Sequence, residues 1–157
     1  MKSVRKLEKG DFPLINQAIA ERRWERYSKE WTALIDPRMV RAACFGEHPT
    51  IKACVLFDTY LFLYQVVVPW YTTKPILEES LLFLINKVQK GNFHDVVQAM
   101  KEIAAKNQCH MISVGTAMAD DRIYGRLLER NGFTQQSRGY TLMLPPPSSV
   151  NCHELHR

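Results

Sequence analysis

The sequence predicts a single α/β domain. Three observations carry this. The chain has 157 residues, the size of one ordinary domain. Helix-periodic and strand-like stretches alternate from its start to residue 144. Its second half then runs helix, strand, helix, strand, each stop marked by a turn residue.

Residues 4–7 alternate briefly and read as a short first strand. Gly10-Asp11 opens a helix, with Asp11 as N-cap and Pro13 in the first turn. Leu14, Ile15, Ala18 and Ile19 keep helical spacing, and Trp24, Tyr27 and Trp31 continue the segment. Asp36-Pro37 breaks it and starts a second short helix. From Val40 the period turns strand-like, with strands over 40–45 and 51–57 joined by a hairpin turn at 46–49. Residues 61–68 form another β-rich run, residues 69–75 a loop, and residues 81–85 a strand. Asn92 caps a helix whose apolar face is Phe93, Val96, Val97, Met100, Ile103 and Ala104, and Asn107-Gln108 ends it. Residues 110–114 form a strand stopped by Gly115. Ile112 and Val114 are expected on a central strand, among the most buried residues of the chain. A helix over 120–131 ends at Gly132, in the usual position for a left-handed cap. Residues 134–144 alternate as a last strand. The domain therefore covers 1–144, and 145–157 form a flexible Pro/Ser-rich tail.

Composition narrows the class further. A chain with 46% hydrophobic and 24% charged residues is globular, neither disordered nor fibrous. The net charge of +5 favours anionic partners without choosing among them. Cys44, Cys54, Cys109 and Cys152 show no Cys-x-x-Cys spacing and read as free thiols of a reducing cytoplasm. The first residues lack the apolar run of a signal peptide, and the longest apolar stretch, 60–70, is too short to span a bilayer. A cytoplasmic location and no membrane partner are the expectation.

The most specific segment is the helix end Tyr124-Gly125-Arg126-Leu127-Leu128-Glu129-Arg130-Asn131-Gly132-Phe133. It is similar to the penultimate helix of the GCN5-related N-acetyltransferase (GNAT) superfamily, which closes on a Tyr-Glu-Lys-x-Gly-Phe type signature. The order of elements over residues 2–144 also resembles that superfamily, and the whole resembles the short acetyltransferase-like proteins encoded by tailed phages. The resemblance implies a GNAT-like mixed central β-sheet flanked by helices. It further implies acetyl-coenzyme A as acyl donor, with transfer to an amine or protein acceptor by direct attack, in a host cytoplasm if the gene is a phage's. The superfamily's pyrophosphate loop, Arg/Gln-x-x-Gly-x-Gly/Ala, corresponds here to Val88-Gln89-Lys90-Gly91-Asn92-Phe93, which keeps Gly91 alone. Its thiolate-protonating tyrosine falls on Leu128. A catalytically degenerate protein on the same scaffold, binding a host or virion partner, is the alternative.

At the residue level, a helix N-terminus suits a pyrophosphate because its N–H groups are unpaired and its dipole end is positive. Lys87, Gln89, Lys90, Gly91, Asn92, Phe93 and His94 are the cofactor-binding candidates; an ordinary capped helix after a basic turn is the plainer reading. Acyl transfer to an amine needs a base and an acid. Tyr124, one turn before Leu128, is the candidate acid, and a core aromatic otherwise. Glu78, Glu79 and Asp58 are candidate bases or else solvated carboxylates, and only one of the adjacent glutamates can face a cleft. Trp70 and Tyr71 wall the acceptor pocket or pack over a sheet edge. The basic and aromatic residues between Arg22 and Tyr27 are diluted by glutamates and read as a solvated face, so nucleic acid is not the expected partner. Cys152, His153 and His156 lack a fourth ligand nearby and read as tail, so no metal is expected.

Overall fold

The computed structural model describes residues 4–21, 36–86, 92–115 and 121–136. Outside these lie the expected aromatic helix continuation at Trp24, Tyr27 and Trp31, and Lys87, Gln89, Lys90 and Gly91. So do most of the expected last strand, the tail, and the Cys152 group.

Among the described residues five strands form one mixed sheet in the order β1-β2-β3-β4-β5: β1 Val4–Arg5, β2 Lys52–Leu56, β3 Tyr60–Val67, β4 Ile76–Leu84 and β5 Met111–Ser113. Neighbours are antiparallel up to β4, and β5 joins β4 in parallel. That last connection needs a crossover, which is the helix α3, Phe93–Lys106. Among the described residues two α-helices precede β2, α1 Phe12–Ala20 and α2 Pro37–Cys44, and α4, Asp121–Arg130, follows β5.

Both faces of the sheet are covered. Val55, Leu61, Leu63 and Phe83 pack with Ile15 and Ala18 of α1 and Ala43 and Cys44 of α2. Cys54, Leu56, Phe62 and Leu77 pack with Val96, Met100 and Ile103 of α3. Successive strand residues thus enter opposite cores, which is why β2 and β3 read as continuous apolar runs instead of alternating. Cys44, Cys54 and Cys109 are free, and burial pushes the Cys44 and Cys54 thiols up to about 12. No helix among the described residues is long and apolar enough to cross a membrane.

Four expectations are corrected. Residues 40–45 are not a strand but the body of α2. Asp36 Oδ1 accepts the Arg38 N–H at 2.8 Å, Pro37 opens the first turn, and the buried Ala43 and Cys44 fall on one helical face with Val40. The hairpin turn consequently lies at 57–59 instead of 46–49, with Phe57 and Asp58 both at positive φ. Asp11 stands at the N-cap of α1 but makes no side-chain cap hydrogen bond there. Its carboxylate instead takes both terminal nitrogens of Arg5 at 2.7 Å and the Glu8 N–H at 2.8 Å, and Arg5 Nε bonds Asp58 at the hairpin turn. Ile112 and Val114 are only half-buried: among the described residues β5 ends the sheet, paired on one side, and Val114 lies beyond it.

Candidate active site

The strand β4 begins five residues earlier than expected and carries Glu78 and Glu79 inside it. Its pairing with β3 is interrupted once. Leu63 faces Leu81 and Tyr64 faces Glu79, so Ser80 is an extra residue, a β-bulge. The bulge reverses the phase of the strand. Before it the odd position Leu77 enters the α3 core; after it the odd position Phe83 enters the core under α1 and α2. Glu79 therefore shares a face with Leu77 and with its cross-strand neighbour Tyr64. Glu78 points the other way and accepts a hydrogen bond from Gln65 Nε2 at 2.9 Å. The ladder of β4 with β5 stops at Glu78 opposite Ser113, while β4 runs on to Leu84. The two parallel strands part at the position of Glu79.

Tyr124 of α4 reaches this position. Its hydroxyl donates to Glu79 Oε2 at 3.3 Å, and its ring meets Phe93 edge-on, with centroids 5.5 Å apart. Tyr124 is 6% exposed. Burial pushes the Glu79 carboxyl up to about 7, opposed by the hydrogen bond from Tyr124. Burial, and then the neighbouring Glu79 charge, hold the Tyr124 hydroxyl well above the ordinary phenol range. At neutral pH the phenol keeps its proton, and the carboxylate is poised between its two states. The raised carboxyl is suited to taking up a proton near neutral pH, and the phenol, held in its protonated form, donates its hydrogen bond to it.

Of the expected site residues, the structure brings Glu79, Tyr124 and Phe93 together. Leu128, one turn further along α4, is 7% exposed and belongs to the interior. Asp58 is held by Arg5 at the far hairpin. Trp70 and Tyr71 are 96% and 67% exposed on the β3–β4 loop and stack edge-on against each other at 5.6 Å. At the start of α3, Asn92 Oδ1 takes the His94 N–H at 3.1 Å, while the Asp95 and Val96 N–H groups turn back to the Asn92 carbonyl. The His94 ring is turned toward α4, its Nδ1 2.8 Å from Asn131 Oδ1.

The bulge at Ser80 and the His94–Asn131 contact escaped the sequence reading. A trace of the first is visible in the chain: Glu78-Glu79-Ser80 is a polar triplet inside an otherwise apolar strand. Nothing local signals the second. A shallow surface depression of about 280 Å³ lies elsewhere, between the end of α3 and β5, bordered by Lys101, Ala105, His110 and Met111.

No protein-family model matches the chain, and no curated protein matches it. Solved structures do. An aminoglycoside antibiotic 6'-N-acetyltransferase from Acinetobacter haemolyticus superposes with a TM-score of 0.60 at 8% identity, over 92% of this chain and 99% of that one. An aminoglycoside acetyltransferase from an uncultured soil metagenomic sample, crystallised with sisomicin, gives 0.59 at 14% identity, over 90% and 95%. A GNAT family acetyltransferase from Staphylococcus aureus gives 0.56 at 14% identity, over 90% and 97%. At these identities the likeness is one of fold, and the fold is that of the GNAT acetyltransferases.

Proposed function

We propose that the protein is an acyl-coenzyme A-dependent N-acyltransferase that moves an acetyl group from acetyl-coenzyme A to an amine by direct attack. The observation that carries this reading is the Glu79–Tyr124 pair, a carboxyl raised to about 7 hydrogen-bonded to a buried phenol where β4 and β5 part, on an acetyltransferase fold. Two of the solved structures with this fold are aminoglycoside acetyltransferases, so small polyamines of that type are the first acceptors to try.

The residues at the start of α3 are compatible with a diphosphate. The cap and backbone turn use the His94, Asp95 and Val96 N–H groups, which leaves Phe93 as the first-turn donor without a partner among the described residues. Lys87, Gln89, Lys90, Gly91, Asn92 and Phe93 would hold the diphosphate there, the two lysines supplying charge. His94 belongs to this segment through its main chain. Trp70 and Tyr71, exposed on the β3–β4 loop, are the aromatic candidates for contact with the acceptor. When bound, acetyl-coenzyme A supplies a thioester carbonyl as electrophile and a thiolate as leaving group.

In this mechanism Glu79, ionised, accepts a proton from the attacking amine as the new C–N bond forms. Tyr124 would supply the proton that the leaving sulfur of the bound thioester takes up. Glu79 returns its proton to the Tyr124 oxygen, which restores both residues. The net result is one proton moved from nitrogen to sulfur, with no residue consumed. Of the three candidate bases, Glu78 faces the opposite side of β4 and Asp58 is tied to Arg5, which leaves Glu79.

The test is isothermal titration of acetyl-coenzyme A, run beside desulfo-coenzyme A, followed by an acetylation assay against a panel of amines that includes sisomicin. Binding plus transfer to any amine supports the reading. Absence of heat at saturating acetyl-coenzyme A removes it.

A further inference from the structure

The first turn of α3 holds α4 at two points. Phe93 meets the Tyr124 ring, and the next residue, His94, meets Asn131. Tyr124 and Asn131 are seven positions apart, about two helical turns, with Asn131 directly after the last residue of α4. A contact at each end of that stretch fixes both the slide and the roll of the helix. The helix needs such support. With ten residues and Gly125 in its interior, it is too short and too weak in propensity to hold its own geometry.

The neighbours of the second contact assign its donor and acceptor. Asn131 Nδ2 donates to the Leu127 carbonyl at 2.8 Å, so its Oδ1 is the atom that faces His94. An acceptor at 2.8 Å from Nδ1 requires a proton on Nδ1. His94 Nε2 lies 3.5 Å from Gln98 Nε2, a donor, which matches a bare ring nitrogen. The contact with Asn131 thus calls for a ring that carries a proton on Nδ1.

We infer that His94 is a positioning residue: by tying the start of α3 to the end of α4 it sets where the Tyr124 hydroxyl meets Glu79. This rests on the acyltransferase reading for the meaning of the Glu79–Tyr124 pair, but the tie itself stands on the contacts alone. The role lies with the imidazole, at a residue exposed enough that its truncation leaves both cores intact.

The experiment is NMR on the full chain. Long-range ¹H–¹⁵N spectra are expected to show His94 protonated at Nδ1 and bare at Nε2, and Asn131→Ala is expected to release it to the Nε2–H form. An Nε2–H ring in the wild type overturns the inference. The second arm follows the Glu79 carboxyl by ¹³C titration. His94→Ala and Asn131→Ala are each expected to lower its midpoint by about half a unit or more, because a loosened α4 uncovers the carboxyl. The double variant is expected to go no further than either single one. His94→Asn, which keeps an N–H donor near the place of Nδ1, is expected to restore the wild-type midpoint. Unchanged midpoints in both alanine variants overturn the inference. Neither arm needs turnover, so a protein that acetylates nothing would remove the proposed function and leave this test standing.

Discussion

Tyr124 and Glu79, 45 positions apart in the chain, meet through a 3.3 Å hydrogen bond where the parallel strands β4 and β5 separate. The carboxyl is pushed up by burial and the phenol by burial and the adjacent charge, so each group resists carrying charge and each has the other as a proton partner. The consequences can be measured one at a time.

Turnover is expected to rise with pH along a limb centred near 7, because Glu79 must be ionised to accept the amine proton. Glu79→Gln is expected to lower kcat by about 10²-fold or more and to abolish that limb. A kcat/KM profile of wild type and variant checks both. A limb that survives in the variant would assign the base elsewhere.

Tyr124→Phe keeps the ring and its contact with Phe93 but deletes the hydroxyl. It is expected to reduce kcat by roughly 10²-fold with little change in acetyl-coenzyme A affinity. Because the lost hydrogen bond was pulling the Glu79 carboxyl down, the pH limb is expected to shift upward in this variant. Stopped-flow rates across pH, with calorimetric affinities alongside, separate this from a loss of stability. Leu128→Tyr tests the same helix differently. The site is interior, so the added bulk is expected to destabilise by about 1–3 kcal/mol and to restore no acid.

The pH dependence of stability follows from the direction of the Glu79 shift. Its folded-state pKa of about 7 lies above the ordinary 4.5, so the folded state binds more protons between these values. The contribution is complete below about 4.5 and is lost as pH rises through 7. Glu79→Gln removes the loss. The variant is expected to match the wild type in chemical denaturation near pH 4 and to exceed it at pH 8 by no more than about 3 kcal/mol. Parallel denaturation curves at the two pH values give the answer directly.

The opposite sign is expected at Asp11. Arg5 grips this carboxylate with two nitrogens and holds its pKa below the usual range, and Asp11 is only 5% exposed. Its contribution is present above the ordinary carboxylate pKa and lost as pH falls through the depressed folded value. Arg5→Ala would leave a buried carboxylate unpaired and is expected to cost about 3 kcal/mol at neutral pH, with part of the loss recovered in Arg5→Ala/Asp11→Asn. Urea midpoints of the single and double variants decide it. An additive pair would show the contact to be incidental.

What the sequence determined by itself was the local half of this protein. The apolar stripe from Phe93 to Ala104 could only be a helix with one buried side, and Asn92 and Gly132 marked ends that the structure keeps. The α/β class followed from the alternation of such segments. Short runs were less legible. Val40 to Phe45 satisfies a strand pattern as well as a helix, and only the Asp36 cap and burial of Ala43 and Cys44 against the sheet chose the helix. Tertiary structure alone decided the site. Whether Glu78 or Glu79 faces α4 depends on the register of β4 against β3 and on the bulge at Ser80. Whether Tyr124 is a core aromatic or a proton donor depends on which carboxylate the packed sheet places beneath it. Periodicity is a property of neighbouring residues and survives in the bare sequence. The partner of a buried polar group is set by segments that are distant in the chain, and the pKa values follow from how tightly those segments exclude water.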